Sequence, residues 1–153
     1  MKFNTTRFGE LNIVKNEIIN FPEGLLGFEN MKEYTIFEME EGNPLMWMQS
    51  LNDGALAFII IRPFEFYPNY LLELTEKEVE FLNVESPEDT DVFAIVVVPE
   101  DPSNMTANLQ GPLVINRKKN IAKQIISTNP KHKLKHYILK EMENVLKKTQ
   151  GGE

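Results

Sequence analysis

Ahead of residue 100 the apolar residues come in runs of strand length, each closed by turn-forming residues. This rhythm confines the chain to a mainly β fold. Runs at 34–39, 45–51 and 56–62 are separated by Glu-Gly-Asn-Pro at 41–44 and Asn-Asp-Gly at 52–54. Each is too short for a self-sustaining helix and suits a strand. Asp53-Gly54 between apolar runs signals a hairpin, because both central positions of a type I′ turn need positive φ. The three segments therefore read as an antiparallel meander. Residues 58–61 are continuously β-branched or aromatic, the pattern of a strand covered on both faces, and 92–98 reads as another buried strand. Shorter strand candidates at 3–8, 11–14 and 18–21 precede them, around Gly9 and Asn16.

Two segments depart from this pattern. Thr75 followed by Glu78 forms a capping box, with Leu74 and Val79 as a staple, so a short helix is expected to about Leu82. Beyond Pro130, the residues Leu134, Ile138, Met142 and Val145 or Leu146 recur at helical spacing, giving an amphipathic C-terminal helix. Residues 121–127 suit strand or helix equally. At 153 residues the chain makes one domain. The expected architecture is a closed or nearly closed antiparallel β-barrel, with one short internal helix and a C-terminal amphipathic helix. Residues 131–153 would be its basic helical extension.

Catalytic chemistry is hard to find in this chain. There are no cysteines, which removes thiolate catalysis, disulfides and cysteine-held metals. No nucleophile elbow, phosphate-cradling loop or nucleotide fingerprint is present. His132 and His136 stand four apart and could share a helix face, but they lack a third ligand and lie among Lys131, Lys133, Lys135 and Lys140. A solvated pair is the expectation, with no metal and no cofactor. The acidic run 88–91 lacks the glycine and terminal glutamate of a calcium loop and reads as solvated. Residues 106–116 alternate: Thr106, Asn108 and Gln110 on one strand face, Ala107 and Leu109 on the other. Uncharged amides and hydroxyls do not move protons at neutral pH, but they do hydrogen-bond another chain. The segment suggests binding, not catalysis.

Charge divides the chain. Residues 1–116 hold 6 basic and 20 acidic residues, a net of −14, whereas 117–148 hold 10 basic and 2 acidic, a net of +8. The body should repel phosphates while the C-terminal part attracts an acidic partner or RNA. RNA would want stacking aromatics, and that part carries only Tyr137. No run approaches the length of a membrane helix, and the first residues lack the apolar core of an export signal, so the cytoplasm is the default.

Four blocks carry a family resemblance. They are Phe21-Pro-Glu-Gly-Leu-Leu-Gly-Phe28-Glu29; Gln49-Ser50; Ala57-Phe58 with Pro63; and Thr106-x-Asn108-Leu109-x-x-Pro112 running into Ile115-Asn116, with Gln124 downstream. In this order they resemble the flagellar assembly factor FliW family, over about residues 3 to 127. Leu26, Met48, Gly111 and Ala122 depart conservatively from the family pattern. The resemblance implies a non-enzymatic, cytoplasmic protein that binds flagellin. When free, it binds and antagonises the translational repressor CsrA, relieving repression of flagellin mRNA. A monomer is favoured, with no membrane and no direct nucleic acid partner; the alternative is a sheet-based RNA-binding module using the basic C-terminal region. Gly24 and Gly27 are expected to serve tight turns, and Phe21 and Phe28 to pack in the core. Partner-binding candidates are Asn108, Asn116 and Gln124, together with Phe66, Tyr67 and Tyr70 as the lining of an apolar groove for flagellin's amphipathic ends.

Overall fold

The computed structural model describes the backbone of residues 1–151 and the side chains of residues 1–146. A hairpin of β1 (Lys2–Thr5) and β2 (Gly9–Asn12) stands apart from the main sheet. The main sheet runs through β3 (Ile19–Asn20), β4 (Glu33–Glu38), β5 (Leu45–Ser50), β6 (Ala57–Ile61) and β7 (Thr90–Val97). It continues with β8 (Thr106–Ala107), β9 (Leu113–Asn116), β10 (Ile121–Gln124) and β11 (His136–Tyr137). Pairing of β7 with β9 closes a ring in the order β7-β6-β5-β4-β3-β10-β9, while β8 and β11 branch from it. The expected barrel is therefore closed. One junction, β3 with β10, is parallel, so the barrel is not wholly antiparallel.

The meander is built as its spacing required, with Tyr34 facing Ser50 and Gln49 facing Ala57. Its second turn differs from the expected two-residue type. Neither Asp53 nor Gly54 takes a positive φ. The Ser50 amide instead donates to the Leu56 carbonyl, and Gln49 Nε2 reaches the carbonyls of Ser50 and Leu56 at 2.9 and 3.1 Å. Gly54 is needed for close approach: a Cβ there would strike the Asn4 carbonyl, and its own carbonyl receives the Thr6 amide at 2.9 Å. The loop is the seat of the N-terminal hairpin.

Alternation along β6, β7 and β9 sends side chains into two cores. Ile60, Phe93, Leu113 and Ile115 fill the barrel with Phe21, Tyr34 and Met48. Ile61, Ala94, Val96 and Val114 point outward, beneath a layer containing Phe66, Tyr70, Leu82 and Ile138. Being covered on both faces is why these strands read as unbroken apolar runs. Each large side chain so enclosed contributes roughly 1.5–3 kcal/mol by leaving water. The outer layer includes α1 (Glu76–Leu82), whose capping box forms as expected: Thr75 Oγ1 accepts from the Glu78 amide and Glu78 Oε1 from the Thr75 amide.

Phe66 is fully enclosed and Tyr70 nearly so, which corrects their expected place in an open groove. Of that aromatic segment, Phe64 is exposed and Tyr67 half-buried. Burial pushes the Tyr70 hydroxyl up to about 12.

The C-terminal part also differs from expectation. Helix α2 (Ile138–Gly151) starts later than 131, and the residues before it form β11 and a strap. His132 and His136 lie on no helix and are both buried, not solvated. His132 stacks on Tyr70 at 4.9 Å and its Nδ1 meets Ser127 Oγ at 2.6 Å. His136 Nε2 accepts the Lys133 amide at 2.9 Å, while its Nδ1 lies 3.6 Å from Glu141. The periodicity of 134–146 was real only from Ile138; the aromatic layer claims the two imidazoles before the helix begins.

Burial holds both imidazoles below their ordinary value of 6.5, with His136 adding to the effect on His132 and Glu141 opposing it at His136. The unfolded chain therefore takes up these protons at higher pH than the folded one. Their contribution is fully present above about pH 6.5 and declines as pH falls below it. Thermal melts across a pH series should show the melting temperature dropping below that point. The drop should be shallower in His132→Gln and His136→Gln chains.

Candidate partner-binding groove

The turn after Phe21 makes one wall. The Gly24 amide returns to the Phe21 carbonyl at 2.8 Å, and Leu25 and Phe28 exchange backbone hydrogen bonds. Gly24 and Gly27 adopt φ of 66 and 86°, so both serve the turn as expected. Gly24 has a second constraint, since a Cβ would lie 2.6 Å from the Glu29 carbonyl oxygen. Gly24→Ala should cost more than about 1 kcal/mol, from the left-handed backbone and that collision together. Chemical denaturation measures it.

Leu25 is buried in the barrel, whereas Leu26 and Phe28 face out. Phe28 was expected in the core; it is 39% exposed and meets Phe58 edge-on at 5.3 Å. Lys123 Nζ braces this wall with a 2.7 Å ion pair to Glu23.

The opposite wall comes from residues 106–116, which are not one strand. Val96 of β7 faces Ala107 but Phe93 faces Leu113, so three steps along β7 correspond to six along its neighbour. The surplus loops out between β8 and β9 as a large bulge, a device that bends a sheet locally. Asn108 shapes it by accepting the amides of Gln110 and Gly111 at 2.9 and 3.0 Å. The strap holds it, since Lys133's carbonyl accepts from Leu109 and Gln110. Gln124 joins the two walls: its Oε1 accepts the Leu26 amide at 2.9 Å and its Nε2 donates to Gly111's carbonyl at 3.1 Å.

Between the walls lies a groove of about 460 Å³. Leu25, Leu26, Phe28, Phe58, Ile95, Val97 and Leu134 supply its apolar surface, and Thr106, Asn108, Gln124 and Lys135 its polar groups. Leu26, Val97 and Leu134 are 66, 63 and 57% exposed, a concentration of apolar surface suited to covering by another molecule. Among the described residues there is no cluster of three or more His, Asp or Glu able to hold a metal. What this arrangement can do is bury an apolar segment and offer it a few hydrogen bonds.

The sequence candidates separate accordingly. Asn108 and Gln124 line the groove. Asn116 does not: it is 1% exposed, and its Nδ2 donates to the Leu82 and Asn83 carbonyls at 2.8 and 3.1 Å, closing the end of α1. Phe66 and Tyr70 lie within the outer core, and Tyr67 edges a separate basic cleft. Leu26, Val97 and Leu134 were missed. Val97 extends a run that reads as wholly buried, yet at the end of β7 it is left open.

The family model described as FliW protein matches residues 2–138. The flagellar assembly factor FliW of Alkaliphilus metalliredigens is 42% identical over 146 residues, covering 95% of this chain and 90% of its own length. That of Syntrophus aciditrophicus is 40% identical over 146 residues, covering 95% and 92%. A crystal structure of the flagellar assembly factor FliW superposes with a TM-score of 0.84 at 34% identity, covering 90% of this chain and 96% of that one. A shared fold and a match along nearly the whole length leave one conclusion: the chain belongs to the FliW family of flagellar assembly factors, which are not enzymes.

Proposed function

We propose that this protein binds flagellin through the apolar groove and, when free of it, binds and antagonises the translational repressor CsrA. The exposed apolar surface of Leu26, Phe28, Val97 and Leu134 carries the first half of this reading. Flagellin ends are amphipathic helices before assembly, and such a helix lays its apolar face into a groove of this kind. The −14 charge of residues 1–116 supports the second half. An acidic body docked on an RNA-binding protein raises the cost of bringing phosphates near, without occupying the RNA site.

The test is reconstitution with purified components. The protein should release CsrA from flagellin mRNA, and added flagellin monomer should restore the repressed complex. Chains with exposed body carboxylates neutralised should lose the release at low salt, where surface charge is least screened. Release undiminished by neutralisation would refute the electrostatic account. Failure of flagellin to reverse release would refute the partner switch.

One observation favours a second reading. Lys131, Lys133, Lys135 and Lys140 surround a cleft and would suit RNA contact. Filter binding of short RNA across a salt series decides it, because phosphate contacts give a steep salt dependence.

A further inference from the structure

The lysine cleft, about 490 Å³, lies beside the apolar groove, and Lys135 lines both. Among the described residues, none of the ammonium groups of Lys131, Lys133, Lys135 and Lys140 has a carboxylate within ion-pair distance. The carboxylate on the lining, Glu141, faces His136 instead. Like charges gathered without a counter-charge repel, and an anion between them relieves the repulsion. On a chain of net charge −7 this is a local reversal of sign. Lys131, Lys133 and Lys135 sit on the strap and Lys140 on the first turn of α2; Lys133's amide donates to His136 Nε2, and its carbonyl holds the bulge. The four lysines are presented next to exposed apolar surface, Leu134 among it.

We propose that groove and cleft form one bipartite docking surface for an amphipathic protein segment with acidic flanks, its apolar face in the groove and its carboxylates among the lysines. This rests on reading the groove as a protein-binding site. Two features favour carboxylates over RNA. Residues 1–116, of net charge −14, repel a polyanion that runs beyond the cleft, whereas a short acidic flank fits within it. Tyr67 is already engaged edge-on with His132 and His136, which leaves Tyr137 as the exposed ring of the lining, too little for stacking successive bases.

The experiment is fluorescence anisotropy on the full chain with three probes. One is a short helical peptide with a leucine face ending in a run of glutamates, the second its twin ending in glutamines, the third oligouridine. The glutamate peptide should bind roughly ten-fold tighter than its twin at low salt, with the gap closing at high salt. Lys131→Gln, Lys133→Gln and Lys140→Gln together should abolish the gap and leave the glutamine peptide's affinity unchanged. A gap that persists in that variant overturns the proposal. So does oligouridine binding tighter than the glutamate peptide and weakening in the same variant. In either case the groove reading survives if the glutamine peptide still binds and Leu26→Asp weakens it. Absence of binding by either peptide overturns both.

Discussion

Phe66→Ala is expected to lower stability by about 3–5 kcal/mol, the cost of emptying a fully enclosed aromatic site. The ring is fully buried among Ile61, Leu82, Val92 and Ile138, and the His136 ring lies 6.4 Å away. Phe66 is among the largest fully buried side chains, so removing its ring leaves a large cavity. Urea unfolding followed by circular dichroism would measure the loss. Flagellin affinity of the protein that remains folded should be unchanged, which separates a core role from a contact role. A variant of unchanged stability with weakened binding would return Phe66 to the interface.

Leu26→Asp and Val97→Asp should do the reverse. Both side chains are mostly exposed, so removing them leaves the melting temperature near that of the parent. Each places a carboxylate where an apolar segment must displace water, and central apolar anchors of an interface carry about 2 kcal/mol or more, a loss above ten-fold in affinity. Calorimetric titration with flagellin monomer reads the effect. Intact affinity in the doubly substituted chain would remove the groove from the interface. The two experiments together assign the aromatic layer and the groove to different jobs.

Much of the barrel was legible because it is written locally. Turn residues at 41–44 and 52–54 delimit the meander, and the Thr75–Glu78 pairing starts α1 with its cap in place. What escaped was set by contacts distant in sequence. Asn108 and Gln124 were partner-binding candidates from the family blocks and line the groove, yet nothing in those blocks distinguished them from Asn116, whose partners are the carbonyls of Leu82 and Asn83. The histidines four apart imitate a helical pair, and only packing against Tyr67 and Tyr70 shows otherwise. Thr106–Asn116 reads as one strand because the alternation from Thr106 to Gln110 leads straight into the apolar run at 113–115; the slip in register becomes visible only opposite β7.

That slip has a dynamic consequence. The ring is closed by residues 90–93 of β7 against β9, whereas β8 is attached at Val96 and Val97. One strand thus carries the seal of the barrel and the hinge of the groove wall at different ends. The bulge, β8, the strap and β11 are accordingly expected to open as one local unit while the ring stays shut, below the energy of global unfolding. Hydrogen exchange should find the amides of Leu109 and Gln110 exchanging together, ahead of those pairing β7 with β9. The protein would then admit a bulky helix by moving one wall, at no risk to the rest of its fold.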